Sequence, residues 1–113
     1  MVVHLTSSVM QEITVEDLKS MMDAGTPFQL IDVRETFEYE TSNLNGLNIP
    51  LSQVLIEKEK IAQDVPVIVQ CRSGKRSAQA ILMLQNEGFN NLSNLKGGIL
   101  AWKETFDPNM EVY

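Results

Sequence analysis

The strongest constraint on the fold is an alternation along the chain. Short apolar, often β-branched runs (FQLID at 28–32, PVIVQ at 66–70, NNLSNL at 90–95) take turns with stretches whose apolar residues recur at helical spacing. Strand, helix and strand in that order make the unit of a parallel sheet, so the pattern points to α/β architecture. Such a sheet carries its chemistry at the carboxyl ends of its strands. Two polar residues stand at those ends, Asp32 after FQLI and Cys71 after VIVQ.

The elements follow from local signals. Residues 10–13 read as a first strand. Thr14 opens a helix: its hydroxyl can cap, Asp17 stands three positions later, and Ile13 with Leu18 can form a hydrophobic staple. Val15, Leu18 and Met21 or Met22 form the buried face, and Gly25 with Pro27 stops the helix. Residues 34–40 read as a short acidic helix, 43–51 as a turn with a brief third strand, and 52–62 as a further helical stretch. The helix at 77–88 repeats Ala78, Ile81, Leu82 and Leu84 at helical spacing and closes at Gly88. The last strand leads through a turn to a terminal helix within 97–106.

Length and composition narrow the function. A chain of 113 residues is one domain, 1–113. Hydrophobic residues make up 43% and charged residues 21%, the balance of a soluble globular protein. Net charge is −6 and no basic stripe with interleaved aromatics exists, which argues against nucleic acid as a partner. No window approaches a membrane span, and the N-terminal residues carry neither a basic segment nor a long apolar one. One cysteine cannot form an internal disulfide, so a reducing compartment, the cytoplasm, is expected. One cysteine and one remote histidine, His4, do not make a metal site of the usual ligand type, and nothing calls for a cofactor.

The lone thiol lies in the densest positive charge of an acidic chain. Arg72, Lys75 and Arg76 fall within five residues of Cys71. An unperturbed cysteine has a pKa of about 8.5, so little of it is ionised at neutral pH. Here the loop leads into a helix N-terminus, Gly74 permits a tight curve, and converging N–H groups can hold an anion. A lone cysteine is more often a small buried hydrophobe. The surrounding Arg-Ser-Gly-Lys-Arg is what favours a reactive thiolate, because a structural cysteine does not need it. A phosphate-binding P-loop fails the pattern: the required glycine is Val69, and Arg76 stands where Ser or Thr belongs.

CRSGKRS (71–77), LIDVRETFEY (30–39) and NLKGGILAW (94–102), in this order and spacing, resemble the segments of single-domain rhodanese-like sulfurtransferases. The resemblance covers about residues 10–106. It implies a central parallel sheet of about five strands with helices on both faces. It further implies that Cys71 accepts sulfane sulfur as a persulfide and passes it to cyanide, a thiol or an acceptor protein. Arg72, Ser73, Gly74, Lys75 and Arg76 would form the cradle, with Arg76 holding a small anionic sulfur donor bidentately and Arg72 and Lys75 attracting it at the mouth. Cysteine phosphatases and arsenate reductases of similar fold have five residues between Cys and Arg. Four separate Cys71 from Arg76, which weighs against their chemistry. One departure stands out: Ser42-Asn43-Leu44-Asn45-Gly46-Leu47 replaces the family's Gly-His-Ile-x-Gly-Ala, so an altered turn is expected there.

Other residues carry weaker expectations. Asp32 either supports the loop, by accepting from its amides or pairing with an arginine, or simply ends its strand. Arg34 is expected in a structural ion pair. Glu35, Glu38 and Glu40 read as solvated helix residues, with Glu35 able to pair with a loop cation. Trp102 reads as core packing. Gly97 and Gly98 let the backbone pass close to the active loop. His4 reads as a surface residue, which leaves Cys71 without a histidine base. An enzyme acting on small sulfur donors and a relay module for a protein partner both remain open, with phosphatase or arsenate reductase activity a distant third.

Overall fold

A computed structural model describes residues 10–113; His4 lies outside that range. Five strands form one sheet: β1 (Glu12–Ile13), β2 (Gln29–Asp32), β3 (Leu47–Asn48), β4 (Val67–Gln70) and β5 (Leu92–Leu95). Every pairing is parallel and the order is β1-β5-β4-β2-β3, so β4 sits at the centre. All four residues of β4 are buried. Both faces of a central parallel strand must be covered, which is why VIVQ shows no polar alternation.

Four α-helices complete the layers: α1 (Val15–Ala24), α2 (Thr36–Thr41), α3 (Lys75–Asn86) and α4 (Gly98–Phe106). Val67 and Val69 pack on one face with Ala80, Ile81 and Leu84 of α3. Ile68 packs on the other with Val15 and Leu18 of α1 and Ile99 of α4. The Thr14 capping box forms as its residues predict, with the Asp17 amide donating to the Thr14 hydroxyl at 3.0 Å.

Several boundaries differ from the sequence reading, each for a physical reason. The first strand shrinks to two residues and the last to four, because pairing with β5 begins only at Glu12 and pairing with β4 only at Leu92. The helix expected at 52–62 is replaced by two 3₁₀ turns, Leu51–Gln53 and Lys58–Lys60. Val54 and Ile61 are buried there at a spacing of seven, but the positions between them that would continue a helical face are Glu57 and Lys58, both charged. α3 starts at Lys75, two residues early, since Gly74 takes the N-cap with a positive φ of 111°. Its buried stripe is Ser77, Ala80, Ile81 and Leu84, whereas Leu82 is 54% exposed. Trp102 is only partly buried, beside the α1/α4 cluster, and stacks at a tilt on Phe106 at 4.8 Å. The atypical segment does make its own turn: the Asn45 amide donates to the Asn43 side chain at 2.8 Å, and Asn45 has φ 67°.

The start of α4 passes very close to the end of β4. A Cβ on Gly98 would stand 2.4 Å from the Arg72 carbonyl oxygen and 2.5 Å from that of Cys71, and φ there is +62°. Both contacts are backbone, so no side chain can move aside. Gly98→Ala is expected to destabilise the fold by more than about 1 kcal/mol, read as a lowered midpoint in chemical denaturation.

Candidate active site

Cys71 follows the last residue of β4 and is 1% exposed. Its sulfur faces the N-terminus of α3. The Gly74 amide donates to Sγ at 3.1 Å, and the Ser77 hydroxyl lies 3.3 Å away. Burial pushes the Cys71 thiol up. The Ser77 hydroxyl and the amides of Ser77, Gly74 and Ser73 outweigh that and hold it below its ordinary value. The amides are fixed donors with no conformational entropy left to lose, so they favour a thiolate without a base, whereas the Ser77 hydroxyl can turn its one proton.

Behind the sulfur lies a polar network. Ser77 donates to Asn94 Oδ1 at 2.6 Å, and Asn94 Nδ2 donates to the Gly74 carbonyl at 3.1 Å. Asn94 is on β5, in register with Val69 of β4. Ser77 and Asn94 are both buried. The sequence reading missed both. The signal for Ser77 was a polar residue three and four positions before Ala80 and Ile81, on the apolar stripe of a helix. Asn94 stood between two leucines of a strand, a second polar intrusion into a core position.

Arg76 lies in the first turn of α3, and its fork is occupied. Nη1 and Nη2 donate to the two carboxylate oxygens of Glu38 at 2.7 and 2.9 Å. The bidentate anion expected on Arg76 is therefore, in this structure, the protein's own carboxylate. Glu38 is only 6% exposed, which corrects its reading as a solvated residue, and it is Glu38 rather than Glu35 that meets the loop cation. The Glu38 carboxylate also accepts from the Glu35 amide at 2.9 Å. The Arg76 hydrogen bonds hold the Glu38 carboxyl below the usual range despite its burial. Glu38 in turn raises Arg76, with the nearby Cys71 adding to the effect.

Asp32 and Arg34 form a fully buried ion pair. Arg34 Nη2 and Nε donate to the Asp32 carboxylate at 2.8–3.2 Å, and the Arg34 amide adds a bond at 3.0 Å. The same guanidinium donates to the Ser42 carbonyl at 2.8 Å, at the end of α2. Of the two supporting roles considered for Asp32, pairing with an arginine is the one present, and its carboxylate bonds go to Arg34 rather than to loop amides. The pair fixes α2, and α2 carries Glu38 to Arg76.

Arg72, Ser73 and Lys75 are exposed at the mouth. Arg72 Nε donates to the main-chain oxygen of Tyr113, whose ring meets Phe37 edge-on at 5.5 Å. Among the described residues, no three His, Cys, Asp or Glu side chains gather as a metal site, and no helix is long and apolar enough to cross a membrane.

Comparison with known proteins assigns the class. A model of the rhodanese-like domain matches residues 14–105, and the chain belongs to that family. A sulfurtransferase of Allochromatium vinosum is 33% identical over 95 residues, covering 83% of this chain and 89% of its own length. The probable adenylyltransferase/sulfurtransferase MoeZ of Mycobacterium tuberculosis is 32% identical over 104 residues, covering 89% of this chain but 26% of its own length. This chain thus spans about a quarter of that relative. Among solved structures, a rhodanese-related protein of Thermoplasma volcanium superposes with a TM-score of 0.73 at 32% identity, covering 91% of this chain and 97% of the other. A rhodanese-like domain protein of Staphylococcus aureus gives 0.78 at 27% identity, covering 92% and 99%.

Two outcomes are expected from the site. Alkylation of the single cysteine, followed against pH, should have its midpoint below the ~8.5 of a free thiol. Glu38→Gln should lower stability by about 1–2 kcal/mol at neutral pH, less than for a fully dry pair because Arg76 is partly exposed. A depressed carboxyl stabilises fully above its unfolded pKa of about 4.3 and loses that contribution as pH falls through the lower folded value. The difference in melting temperature between the two proteins should therefore be widest at neutral pH and close in acid.

Proposed function

We propose that this rhodanese-like domain is a sulfurtransferase whose carrier is Cys71. The observation that carries the reading is a buried Sγ aimed at converging amides and a hydroxyl at the N-terminus of α3. The Cys71 thiolate attacks the outer sulfur of a thiosulfate-like donor. A new S–S bond forms, the donor's S–S bond breaks, and sulfite leaves with the bonding electron pair. Cyanide or a thiolate then attacks the outer sulfur of the persulfide and releases the Cys71 thiolate. No net oxidant is consumed. Residues 72–76 supply the cradle, Arg72 and Lys75 attract the anionic donor, and Asp32 with Arg34 supports the cradle from below through α2.

A second reading is favoured by the relatives. MoeZ is named as a probable adenylyltransferase/sulfurtransferase, and a putative sulfur carrier protein, YrkF of Bacillus subtilis, is 30% identical over 97 residues. On this reading the acceptor is another protein and small-molecule turnover is incidental. The occupied Arg76 fork fits it, because a donor less anionic than thiosulfate has no need to displace Glu38.

Intact mass after brief exposure to thiosulfate, with and without a later reductant, tests the chemistry. A reductant-reversible gain of one sulfur atom, abolished by Cys71→Ser, is expected. Full thiosulfate:cyanide activity in Cys71→Ser would end the proposal. Trapping a Cys71-linked disulfide with one specific protein would favour the relay.

A further inference from the structure

A hydroxyl carries one proton, and in this structure the proton of Ser77 is claimed twice. Asn94 Nδ2 points to the Gly74 carbonyl at 3.1 Å, which turns Oδ1 toward Ser77. Oδ1 can only accept, so across the 2.6 Å contact Ser77 must be the donor. The Ser77 oxygen then faces Cys71 Sγ at 3.3 Å with lone pairs alone. In that state it can accept from a thiol S–H but has nothing to offer a thiolate. To donate to the thiolate, Ser77 must rotate its proton away from Asn94 and leave a buried amide oxygen unpaired, which is costly.

We propose that Asn94 is a positioning residue that tunes the reactivity of Cys71 by competing with the sulfur for the single proton of Ser77. It does not touch the reacting atom. With Asn94 in place the loop amides still hold Cys71 below its ordinary value, but less far than they would with the Ser77 proton added, so more of the empty carrier stays as the thiol, the form that resists stray oxidation and alkylation. Ionisation is reached only by exchanging the Ser77–Asn94 bond for a charge-assisted one to sulfur. Once a persulfide has formed, Sγ has neither charge nor proton, and Ser77 returns to Asn94 without loss.

The other groups facing the sulfur come from several elements. Lys75 and Arg76 are in the first turn of α3, Glu38 on α2 is bound to Arg76, and Arg72 lies in the loop. The α4 start contributes backbone amides to the carbonyls of Cys71 and Arg72. None of these bonds the Asn94 side chain; the Gly74 carbonyl does, and it loses that donor in the Asn94→Leu variants with or without Ser77, so the cycle separates this loss from the competition. The proposal rests on Cys71 being the reactive thiol, but it is read from thiol titration and needs no sulfur transfer.

The test is the pH dependence of iodoacetamide alkylation of Cys71 in the unsubstituted protein, Asn94→Leu, Ser77→Ala and the double variant. Asn94→Leu, similar in size and without polar atoms, is expected to move the midpoint down by about half to one pH unit. In the Ser77→Ala background the same replacement is expected to move it little. An upward shift, no shift, or an equal shift in both backgrounds would overturn the proposal, since a loosened loop acts regardless of Ser77. Should the leucine variant not fold by circular dichroism, the isosteric Asn94→Asp completes the cycle. Its rise in midpoint must then shrink when Ser77 is alanine, and an undiminished rise would overturn the idea.

Discussion

The site depends on two backbone hydrogen bonds made at the start of α4. The amides of Ile99 and Leu100 donate to the carbonyls of Cys71 and Arg72 at 2.9 and 3.1 Å. A trans peptide is planar, and its N–H points opposite to its C=O. Pulling two successive carbonyls toward α4 therefore turns the following amides, those of Arg72 and Ser73, away from it. Ser73 N–H is one of the groups that acidify Cys71. The concave amide surface is thus imposed from outside the loop. Gly98 is what lets α4 come near enough to impose it.

A second support works through charge. The buried Asp32–Arg34 pair holds the end of α2, and α2 presents Glu38 to Arg76. Removing one partner from a buried pair leaves an unpaired charge, which is far more damaging than never having had the pair. The consequence is a loop whose strongest cation is already balanced. Positive charge available to an incoming anion comes mainly from Arg72 and Lys75, on the exposed rim.

Much of this was legible in the residues. The all-buried β4 announced itself by a β-branched run without alternation, and Thr14 with Asp17 fixed the start of α1. The Cys71 loop was legible because charge and glycine clustered around one thiol. Glu38 was not, because α2 has only six residues and a helix so short has no periodicity to tell its buried side from its wet one. Nor was Asn94, whose role depends on β5 lying beside β4, a neighbour relation set by the sheet order rather than by the local chain. The segment after Pro50 failed for another reason: Val54 and Ile61 stand seven apart, the spacing of one helical face, so two short turns there read as one weak helix.

The depth of Cys71 has a consequence for how the proposed carrier would be seen from outside. At 1% exposure the bare sulfur lies beneath the surface, shielded from bulky reagents. A sulfur atom bonded to it would stand about 2 Å away, the length of one S–S bond. With such a cargo directed toward the mouth, the outermost reactive atom would be the cargo itself, and without it the rim presents Arg72, Ser73 and Lys75. On the proposed relay reading, a partner sampling the rim would meet the cargo sulfur when the carrier is loaded and the loop itself when it is empty.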